Sequence, residues 1–141
     1  MMMEITIDGS ARNKKLVNAV LPSMIRQLKL ENCRKGLLIR IYNECDQEAH
    51  GVTHDFTNLT NCYVVVVKPQ RNVFQLGITL AHELVHVKQM AKGQLKTDVH
   101  GNNYWMGKKY KASTKYYDRP WEIAAFAQQE LLLRRAVEEC A

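Results

Sequence analysis

The order of apolar and polar residues along the chain predicts strands and helices that follow one another. Residues 3–8 alternate between apolar and polar side chains and run into an Asp-Gly pair, which is typical of a short strand and a turn. Ser10 is then a candidate N-cap for a helix to about Leu30, because apolar residues recur at steps of three and four. Pro22 interrupts this pattern, so we expect a kink or two consecutive helices that pack on the sheet as a scaffold.

Two apolar runs in the middle of the chain predict further strands. Residues 36–42 and residues 62–68 are rich in branched apolar side chains, and the second run favours a strand covered on both faces. Residues 43–61 between them are polar and are expected to be irregular, with a short edge strand hidden in them. A long, largely buried helix follows residues 69–72. We expect it to end at Lys92-Gly93, where Gly93 is free to adopt a positive φ.

The last third of the chain predicts a β excursion and a final helix. Residues 94–117 contain turn-forming residues among aromatic ones, which indicates a hairpin or irregular β structure. Pro120 suits the first turn of a helix that runs to about Cys140. The predicted apolar face of this helix is Trp121, Ala124, Ala125, Ala127, Leu131, Leu132 and Val137. The predicted fold class is α+β, with a small mixed sheet packed on a scaffold helix, a central helix and a C-terminal helix.

Length and composition are those of one ordinary globular domain. A chain of 141 residues is a single domain on the usual length scale, here residues 1–141. The apolar fraction of 46% excludes a chain that is disordered by composition. The longest uninterrupted apolar run, residues 63–67, is far too short to span a membrane, and the first residues do not resemble a signal sequence. We therefore expect a cytoplasmic protein without a membrane partner.

The excess of basic residues is concentrated after the middle of the chain. The net charge is +6. Residues 88–119 form a basic segment that contains Lys88, Lys92, Lys96, Lys108, Lys109, Lys111, Lys115 and Arg119. Such a segment could attract nucleic acid or an acidic substrate. It has no compact basic tract with interleaved aromatic residues, so a solvated face is the simpler interpretation.

The cysteines do not indicate a zinc ribbon or a redox motif. They are widely spread and form no C-x-x-C pair: Cys33, Cys45, Cys62 and Cys140. We expect them to be free, buried thiols.

The clearest chemical signal is an H-E-x-x-H pattern within the predicted long helix. It consists of His82, Glu83 and His86 with two apolar residues between. Residues four apart lie on the same face of a helix, so both imidazoles can reach one cation. Glu83 then projects beside that cation, where it can hold and deprotonate a bound water. Zinc suits this pattern, because catalytic sites combine imidazole ligands with an open position. The sequence therefore predicts one Zn²⁺ ion, with Glu83 as the general base.

The third zinc ligand remains open between two residues. Metzincins place a glycine three and a histidine six positions after the second histidine, but Gln89 and Lys92 occupy those positions here. Glu122 falls in the first turn of the last predicted helix, and a glutamate from a following helix defines the gluzincin arrangement. Ala125 is small enough to let that helix pack closely on the helix of the motif. His100, which precedes a glycine, is the rival ligand.

Three ordered blocks in the second half of the chain carry a family resemblance. The blocks are His82-Glu-Leu-Val-His86-Val-Lys-Gln, Trp105-x-Gly107-Lys-x-Tyr110 and Tyr117-x-x-Pro120-Trp121-Glu122-Ile-x-Ala125. Together they resemble a family of small metallopeptidases encoded by bacteriophages. The resemblance implies a zincin-like fold of gluzincin type, a location in the host-cell cytoplasm, and Glu122 as the third zinc ligand. The chain departs from the family at Ala124, where an acidic residue is expected.

A second, partial resemblance concerns the rival ligand. The stretch His100-Gly101-x-x-Tyr104-Trp105 is similar to the H-G-x-x-F-x-x-W stretch of SprT-like proteases. The third zinc ligand of those proteases is that histidine, and their better-known members cut proteins crosslinked to DNA. The spacing fits only in part, because the tryptophan directly follows Tyr104. This similarity implies His100 as a ligand and nucleic acid as a partner of the basic segment 88–119.

The predicted activity is that of a zinc metalloendopeptidase acting on a protein or peptide substrate. His82, His86 and Glu122 would hold a zinc ion that activates a water molecule. Glu83 would take the proton of that water and pass it to the leaving amine. The extended substrate is expected to pair with an exposed sheet edge above the helix of the motif.

The prediction also includes candidate donors to the oxyanion and two alternative functions. Tyr110, Tyr116 and Tyr117 are candidate donors to the oxyanion. One alternative function is a DNA-associated protease that uses His100 as its third ligand. The other is a non-catalytic regulatory protein that binds zinc, although such a protein has no use for the base Glu83.

Overall fold

The first half of the chain builds a four-stranded mixed sheet. The computed structural model describes residues 3–43 and 49–140. The strands of this sheet are β1 (Ile5–Asp8), β2 (Gly36–Ile41), β3 (Gly51–Phe56) and β4 (Cys62–Val67). Their order is β1-β2-β4-β3. The strands β1, β2 and β4 run parallel, whereas β3 pairs antiparallel with β4 at one edge.

Four α-helices accompany the sheet in the described part of the chain. They are α1 (Ala11–Gln27), α2 (Thr57–Thr60), α3 (Val73–Ala91) and α4 (Pro120–Cys140). The long helices α1, α3 and α4 contact one another and share one hydrophobic core with the sheet. The predicted α+β class is therefore confirmed, with a small mixed sheet packed on three long helices.

Helix α1 begins as predicted and continues as one helix. The Ser10 side chain accepts a hydrogen bond at 3.3 Å from the backbone N–H three residues on, which confirms the predicted N-cap. Pro22 lies inside the helix on its exposed face, where water can reach the carbonyl group that proline leaves unpaired. The alternative of two consecutive helices is therefore wrong. The helix ends at Gln27 and not near residue 30, because Lys29 adopts a left-handed conformation with φ of 57°.

One face of the two central strands, β2 and β4, is buried. The register pairs Leu37 with Tyr63 and Ile39 with Val65, and none of these side chains is more than 4% exposed. On the opposite face Val64 is only half-buried. The prediction that residues 62–68 are covered on both faces is therefore wrong for Val64. The three long helices pack together on one side, and this leaves the other side partly open.

Helices α3 and α4 approach each other closely. Asn72 caps α3 through its side chain, and Gly93, with φ of 72°, confirms the predicted end of the helix. Gly77 of α3 faces Leu133 of α4, and a Cβ atom at Gly77 would lie 2.7 Å from a Leu133 methyl carbon. The absence of a side chain at this position lets the two helices meet.

The buried face of α4 differs from the predicted one. Three of the predicted residues are buried: Trp121, Ala125 and Leu132. The other four are half-buried or exposed: Ala124, Ala127, Leu131 and Val137. Leu133 and Ala136 are buried in their place. Because α4 contacts both α1 and α3, tertiary packing selects a different stripe of the helix from the one that apolar spacing suggested.

Strand β3 is the edge strand hidden in the polar stretch 43–61. All six of its residues pair with β4, so the predicted short edge strand is confirmed. Its sequence, Gly-Val-Thr-His-Asp-Phe, lacks a continuous apolar signal. In the sheet formed by the described residues, β3 pairs on one side and leaves its other edge free.

A second, three-stranded sheet follows α3. The strands β5 (Leu95–Thr97), β6 (Asn103–Trp105) and β7 (Lys108–Tyr110) pair antiparallel in that order. This confirms the β excursion predicted for residues 94–117. A short 3-10 helix at Tyr116–Asp118 then leads into α4. Within the described ranges, none of the helices is both long and apolar enough to cross a membrane.

Three cysteines lie in the described ranges, and each is a free thiol. Cys33 and Cys62 are half-buried, whereas Cys140 is exposed. The prediction of a buried thiol is therefore wrong for Cys140, which lies at the end of the last helix. Cys45 falls outside the described residues.

Candidate metal centre

Two side chains of α3 and one of α4 meet where these helices pack. Among the residues that the structure describes, one group of His, Cys, Asp or Glu side chains is placed to hold a metal ion. It consists of His82, His86 and Glu122, whose ligand atoms all lie within 4.8 Å of one another. The histidines lie one turn apart on α3, and Glu122 reaches them from the first turn of α4. The three residues predicted as ligands therefore form a cluster that could bind a metal ion.

One carboxylate oxygen forms the centre of this cluster. Glu122 Oε1 lies 2.8 Å from His82 Nε2 and 3.0 Å from His86 Nε2. The Tyr116 hydroxyl donates a hydrogen bond to the same oxygen at 3.0 Å. None of the three cluster residues is more than 8% exposed. Because little water reaches these groups, their electrostatic interactions are strong.

Each histidine is oriented by a glutamine at its other ring nitrogen. Gln89 Oε1 lies 2.8 Å from His86 Nδ1, and Gln129 Oε1 lies 2.9 Å from His82 Nδ1. The Gln89 amide has a fixed orientation, because its Nε2 donates to the Trp121 carbonyl at 3.0 Å. An amide oxygen only accepts hydrogen bonds, so each Nδ1 carries a proton. Both Nε2 atoms are thereby left to face the carboxylate.

This geometry requires positive charge at the centre. Two Nε2 lone pairs and a carboxylate oxygen face each other at 2.8–3.0 Å, which is repulsive unless a proton or a metal ion lies between them. Burial lowers the pKa of His86, but the hydrogen bond to Glu122 and the charges of Glu83 and Glu122 outweigh it and raise that pKa. Burial raises the pKa of Glu122, but its hydrogen bonds to the two histidines prevail and lower that pKa to about 2. Two imidazoles and a carboxylate are also a donor set of catalytic zinc sites, so the residues fit this metal.

Glu83 lies beside the cluster as a further carboxylate. Its Oε1 accepts a hydrogen bond at 2.8 Å from the hydroxyl of Thr53 in β3. Burial raises the pKa of Glu83, and the charges of His86 and His82 oppose this change. Gly51 leaves room for the carboxylate, because a Cβ atom there would lie 2.9 Å from Glu83 Cγ. A carboxylate with a raised pKa next to a cation site is suited to proton transfer.

A cavity of about 900 Å³ opens over the cluster. Strand β3 contributes Gly51 and Thr53 to its wall, and the 3-10 helix contributes Tyr116 and Tyr117. The ring of Phe126 packs against His82 with 4.6 Å between centroids and also lines the cavity. A cavity of this size can hold several residues of an extended peptide.

His100 lies outside the cluster. It occupies an exposed turn between β5 and β6, where its backbone N–H donates to Asp98 at 2.9 Å. The same Asp98 carboxylate accepts hydrogen bonds from the Asn102 backbone and side chain and from the Tyr104 hydroxyl. The turn is thus held by its own contacts. The structure does not bring this alternative ligand to His82 and His86.

The three tyrosines predicted as oxyanion donors lie in different surroundings. The hydroxyl of Tyr116 contacts the cluster, and burial together with the charge of Glu122 raises its pKa, so it keeps its proton at neutral pH. Tyr117 lines the cavity but is 77% exposed. Tyr110 packs against Trp121 with 5.6 Å between ring centroids and is not part of the cavity wall.

The residues that contact the cluster and Glu83 from outside the motif were not predicted. Gln129 follows Glu122 by seven residues, which is nearly two helical turns, so the helical period could have placed both on one face. Gln89 was considered as the residue at the position where metzincins have a glycine, and no role was predicted for it. Thr53 and Gly51 belong to the polar stretch in which no strand boundaries were predicted. No signal in the sequence connects those two residues with Glu83.

Among the described residues, one lysine or arginine of the basic segment 88–119 lines the cavity. It is Arg119, which directly precedes Pro120 at the start of α4. Lys92 instead donates to the carbonyl group of Lys29 at 3.2 Å. Of the basic side chains in this segment, a single arginine therefore reaches the cavity among the residues described.

Comparisons with protein families, with curated proteins and with solved structures found no match to this chain. The resemblance to phage metallopeptidases therefore stays a prediction. The functional proposal therefore rests on the chemistry of the cluster and of the residues around it.

Proposed function

We propose that this chain is a zinc metallopeptidase of the zincin type, which hydrolyses peptide bonds with one Zn²⁺ ion at the cluster. One observation carries the proposal. His82 Nε2 and His86 Nε2 converge on one oxygen of Glu122 at 2.8–3.0 Å, and the carboxylate of Glu83 lies beside them without belonging to the cluster. A structural metal site has no use for an additional buried carboxylate. A catalytic site needs one as a base.

The donor set favours zinc over magnesium and calcium. Two imidazoles and a carboxylate suit zinc, whereas magnesium and calcium prefer oxygen ligands alone. The glutamines at both Nδ1 atoms fix the histidines with Nε2 towards the centre, which is the usual arrangement around such metals. When bound, zinc supplies Lewis acidity to a water molecule and to a carbonyl oxygen.

Glu83 acts as the general base in the proposed reaction. It accepts a proton from the attacking water and transfers it to the nitrogen of the scissile bond. The C–N bond breaks, and one water and one peptide bond thereby become a carboxylate and an ammonium group, which together keep both protons of the water. The Thr53 hydroxyl, at 2.8 Å from Oε1, holds the carboxylate in position for this transfer. Tyr116 supplies a protonated hydroxyl next to the cluster, which suits it to donate to the oxyanion.

The free edge of β3 is the proposed binding surface for the peptide. Thr53 contacts both the carboxylate and the backbone carbonyl of Glu83, at 2.8 Å and 3.1 Å, so β3 passes directly beside the proposed base. An extended peptide can pair with a free strand edge through main-chain hydrogen bonds. A peptide bound in this way lies along the cavity wall that Gly51 and Thr53 form.

Zinc content and hydrolysis of a protein substrate test this proposal together. Elemental analysis should find about one zinc per chain in the wild type and in the control His100→Ala, and little in Glu122→Ala. Chelation should abolish hydrolysis, and added zinc should restore it. If His100→Ala loses zinc and Glu122→Ala keeps it, the assigned ligand set is wrong. A wild-type protein that binds no zinc contradicts the proposal altogether.

A further inference from the structure

Arg119 has an unusual place on the cavity wall. Its Nε donates to the Thr114 carbonyl at 3.0 Å, and its guanidinium carbon lies 5.8 Å from the centroid of the Tyr116 ring. Arg119 is half-buried, and these two contacts hold its guanidinium in a defined position. The backbone contact uses one of the five N–H groups of the side chain. The four N–H groups on the two Nη atoms have no partner among the described residues.

The charges along the cavity do not neutralise this arginine. Apart from titratable histidines, Arg119 is the one cationic side chain among the described residues of the wall. The two carboxylates there belong to Glu83 and Glu122, and both have other partners. The salt bridges of the described residues do not include Arg119. The cavity wall therefore contains a planar guanidinium, that of Arg119, without a carboxylate partner among the described residues.

We propose that Arg119 binds a carboxylate of the peptide substrate and thereby makes acidic peptides the preferred substrate class. This inference rests on the proposed peptidase function. A guanidinium forms two parallel hydrogen bonds with a carboxylate, and this pairing is stronger and more directional than one with an amide. The carboxylate comes from an Asp or Glu side chain or from the C-terminus of the peptide.

Tyr116 sets the distance between the recognised carboxylate and the scissile bond. Its hydroxyl lies 3.0 Å from Glu122 Oε1, and its ring contacts the Arg119 guanidinium. One tyrosine side chain thus separates the cluster from the arginine. An extended peptide advances about 3.3 Å per residue, so the carboxylate belongs to a residue within about three positions of the bond that is cut.

A randomised peptide library identifies the preferred position. The wild-type protein, loaded with zinc, is incubated with libraries that carry either a free or an amidated C-terminus, and the products are sequenced by mass spectrometry. We expect Asp or Glu at one fixed position near the cut. Equal preference in both libraries assigns the carboxylate to a side chain. Cleavage that requires the free C-terminus assigns it to the end of the peptide.

Arg119→Gln then tests the residue itself, and Lys115→Gln is the matched control. Both changes remove one positive charge from the same short segment, but Lys115 is not part of the cavity wall. For a preferred peptide and its carboxamide analogue, Arg119→Gln should lower the ratio of the two kcat/KM values about tenfold or more. Lys115→Gln should leave the ratio unchanged. A purely structural role of Arg119 would lower both values together and leave their ratio as it was.

Binding to an inactive protein gives a second measurement that does not depend on turnover. In the Glu83→Gln background, fluorescence anisotropy should show tighter binding of the acidic peptide than of its carboxamide analogue. Arg119→Gln should remove this difference. If the wild type cleaves peptides without a preference for acidic residues, the inference about Arg119 is wrong, but the peptidase proposal stands. The same holds if the preference survives Arg119→Gln. If a zinc-loaded wild type neither binds nor cuts any peptide, the peptidase proposal falls as well.

Discussion

At the scale of single residues, each histidine of the cluster depends on a glutamine from outside the motif. Gln89 links the His86 ring to the Trp121 carbonyl, so it ties this part of α3 to the first turn of α4. Gln129 of α4 contacts Nδ1 of the other ring, that of His82. Groups that orient ligating histidines commonly contribute strongly to metal affinity.

Gln89→Leu should therefore weaken zinc binding even though it changes no ligand. The substitution leaves His86 Nδ1 and the Trp121 carbonyl without their described partner in a buried region. We expect zinc affinity to fall about 10- to 100-fold. We also expect the free energy of unfolding to fall by about 1–3 kcal/mol. Competition with a chelating dye measures the first quantity, and urea unfolding measures the second.

The matched control for this prediction is Gln128→Leu. Gln128 is exposed, and its amide donates within its own helix to the Ala124 carbonyl. This change should leave zinc affinity as in the wild type. If Gln89→Leu also binds zinc with wild-type affinity, the orienting role of Gln89 is wrong.

The residues of the H-E-x-x-H pattern were predictable because their signal is local. His82, Glu83 and His86 lie within five consecutive residues whose spacing already places both histidines on one helical face. Glu122 was predicted as a candidate ligand from the family resemblance and from its position at the start of a predicted helix. Thr53 and Gly51 reach Glu83 only through the pairing of β3 with β4 and the packing of α3 on the sheet. Contacts of that kind depend on tertiary structure, and no periodicity in the chain encodes them.

At the scale of elements, the cluster exists because α4 packs closely on α3. Ala125 lies one turn after Glu122 and is completely buried. Its small side chain agrees with the prediction that close packing of these helices needs a small residue there. A larger residue would force α4 outwards and carry Glu122 away from the histidines.

Ala125→Leu tests this dependence, and Ala127→Leu is the matched control on the exposed side of the same helix. The buried substitution should lower the free energy of unfolding by about 1–3 kcal/mol. It should also reduce the bound zinc measured by elemental analysis, because Glu122 moves with the helix. The exposed substitution should change neither quantity. Full zinc occupancy in Ala125→Leu would show that the cluster tolerates a displaced helix.

The sequence did not predict the buried face of α4 or the boundaries of β3. Spacing alone placed Leu131 and Val137 in the core, yet both are exposed, since α4 turns its buried side to α1 and α3 together. Strand β3 was expected without boundaries, because an edge strand needs few apolar residues. Helices α1 and α3 carry many apolar residues, and these marked the position of each helix in the sequence.

At the scale of the whole molecule, a zinc ion in the cluster would join α3 to α4. These helices lie far apart in sequence, and α4 also contacts the scaffold helix α1. A ligand that binds the folded chain alone shifts the unfolding equilibrium towards the folded state. The metal should therefore stabilise the domain as well as support its chemistry.

Thermal and urea unfolding with and without zinc test this coupling. Free zinc at about 100 times its dissociation constant should raise the free energy of unfolding by about 2.7 kcal/mol. A chelator should reverse the effect. Glu122→Ala should unfold with little dependence on zinc, because it lacks one ligand. Equal stabilisation of the wild type and Glu122→Ala would place the zinc somewhere else.

The most direct test of the central claim is the rate of peptide hydrolysis by Glu83→Gln compared with the wild type, with zinc measured in the same samples. Glutamine keeps the shape of the side chain and an oxygen for the Thr53 hydroxyl, but it cannot take a proton from water. The proposed mechanism predicts wild-type zinc content and a rate lower by about 10²–10⁴. A zinc-loaded Glu83→Gln that hydrolyses peptides at the wild-type rate would contradict the mechanism.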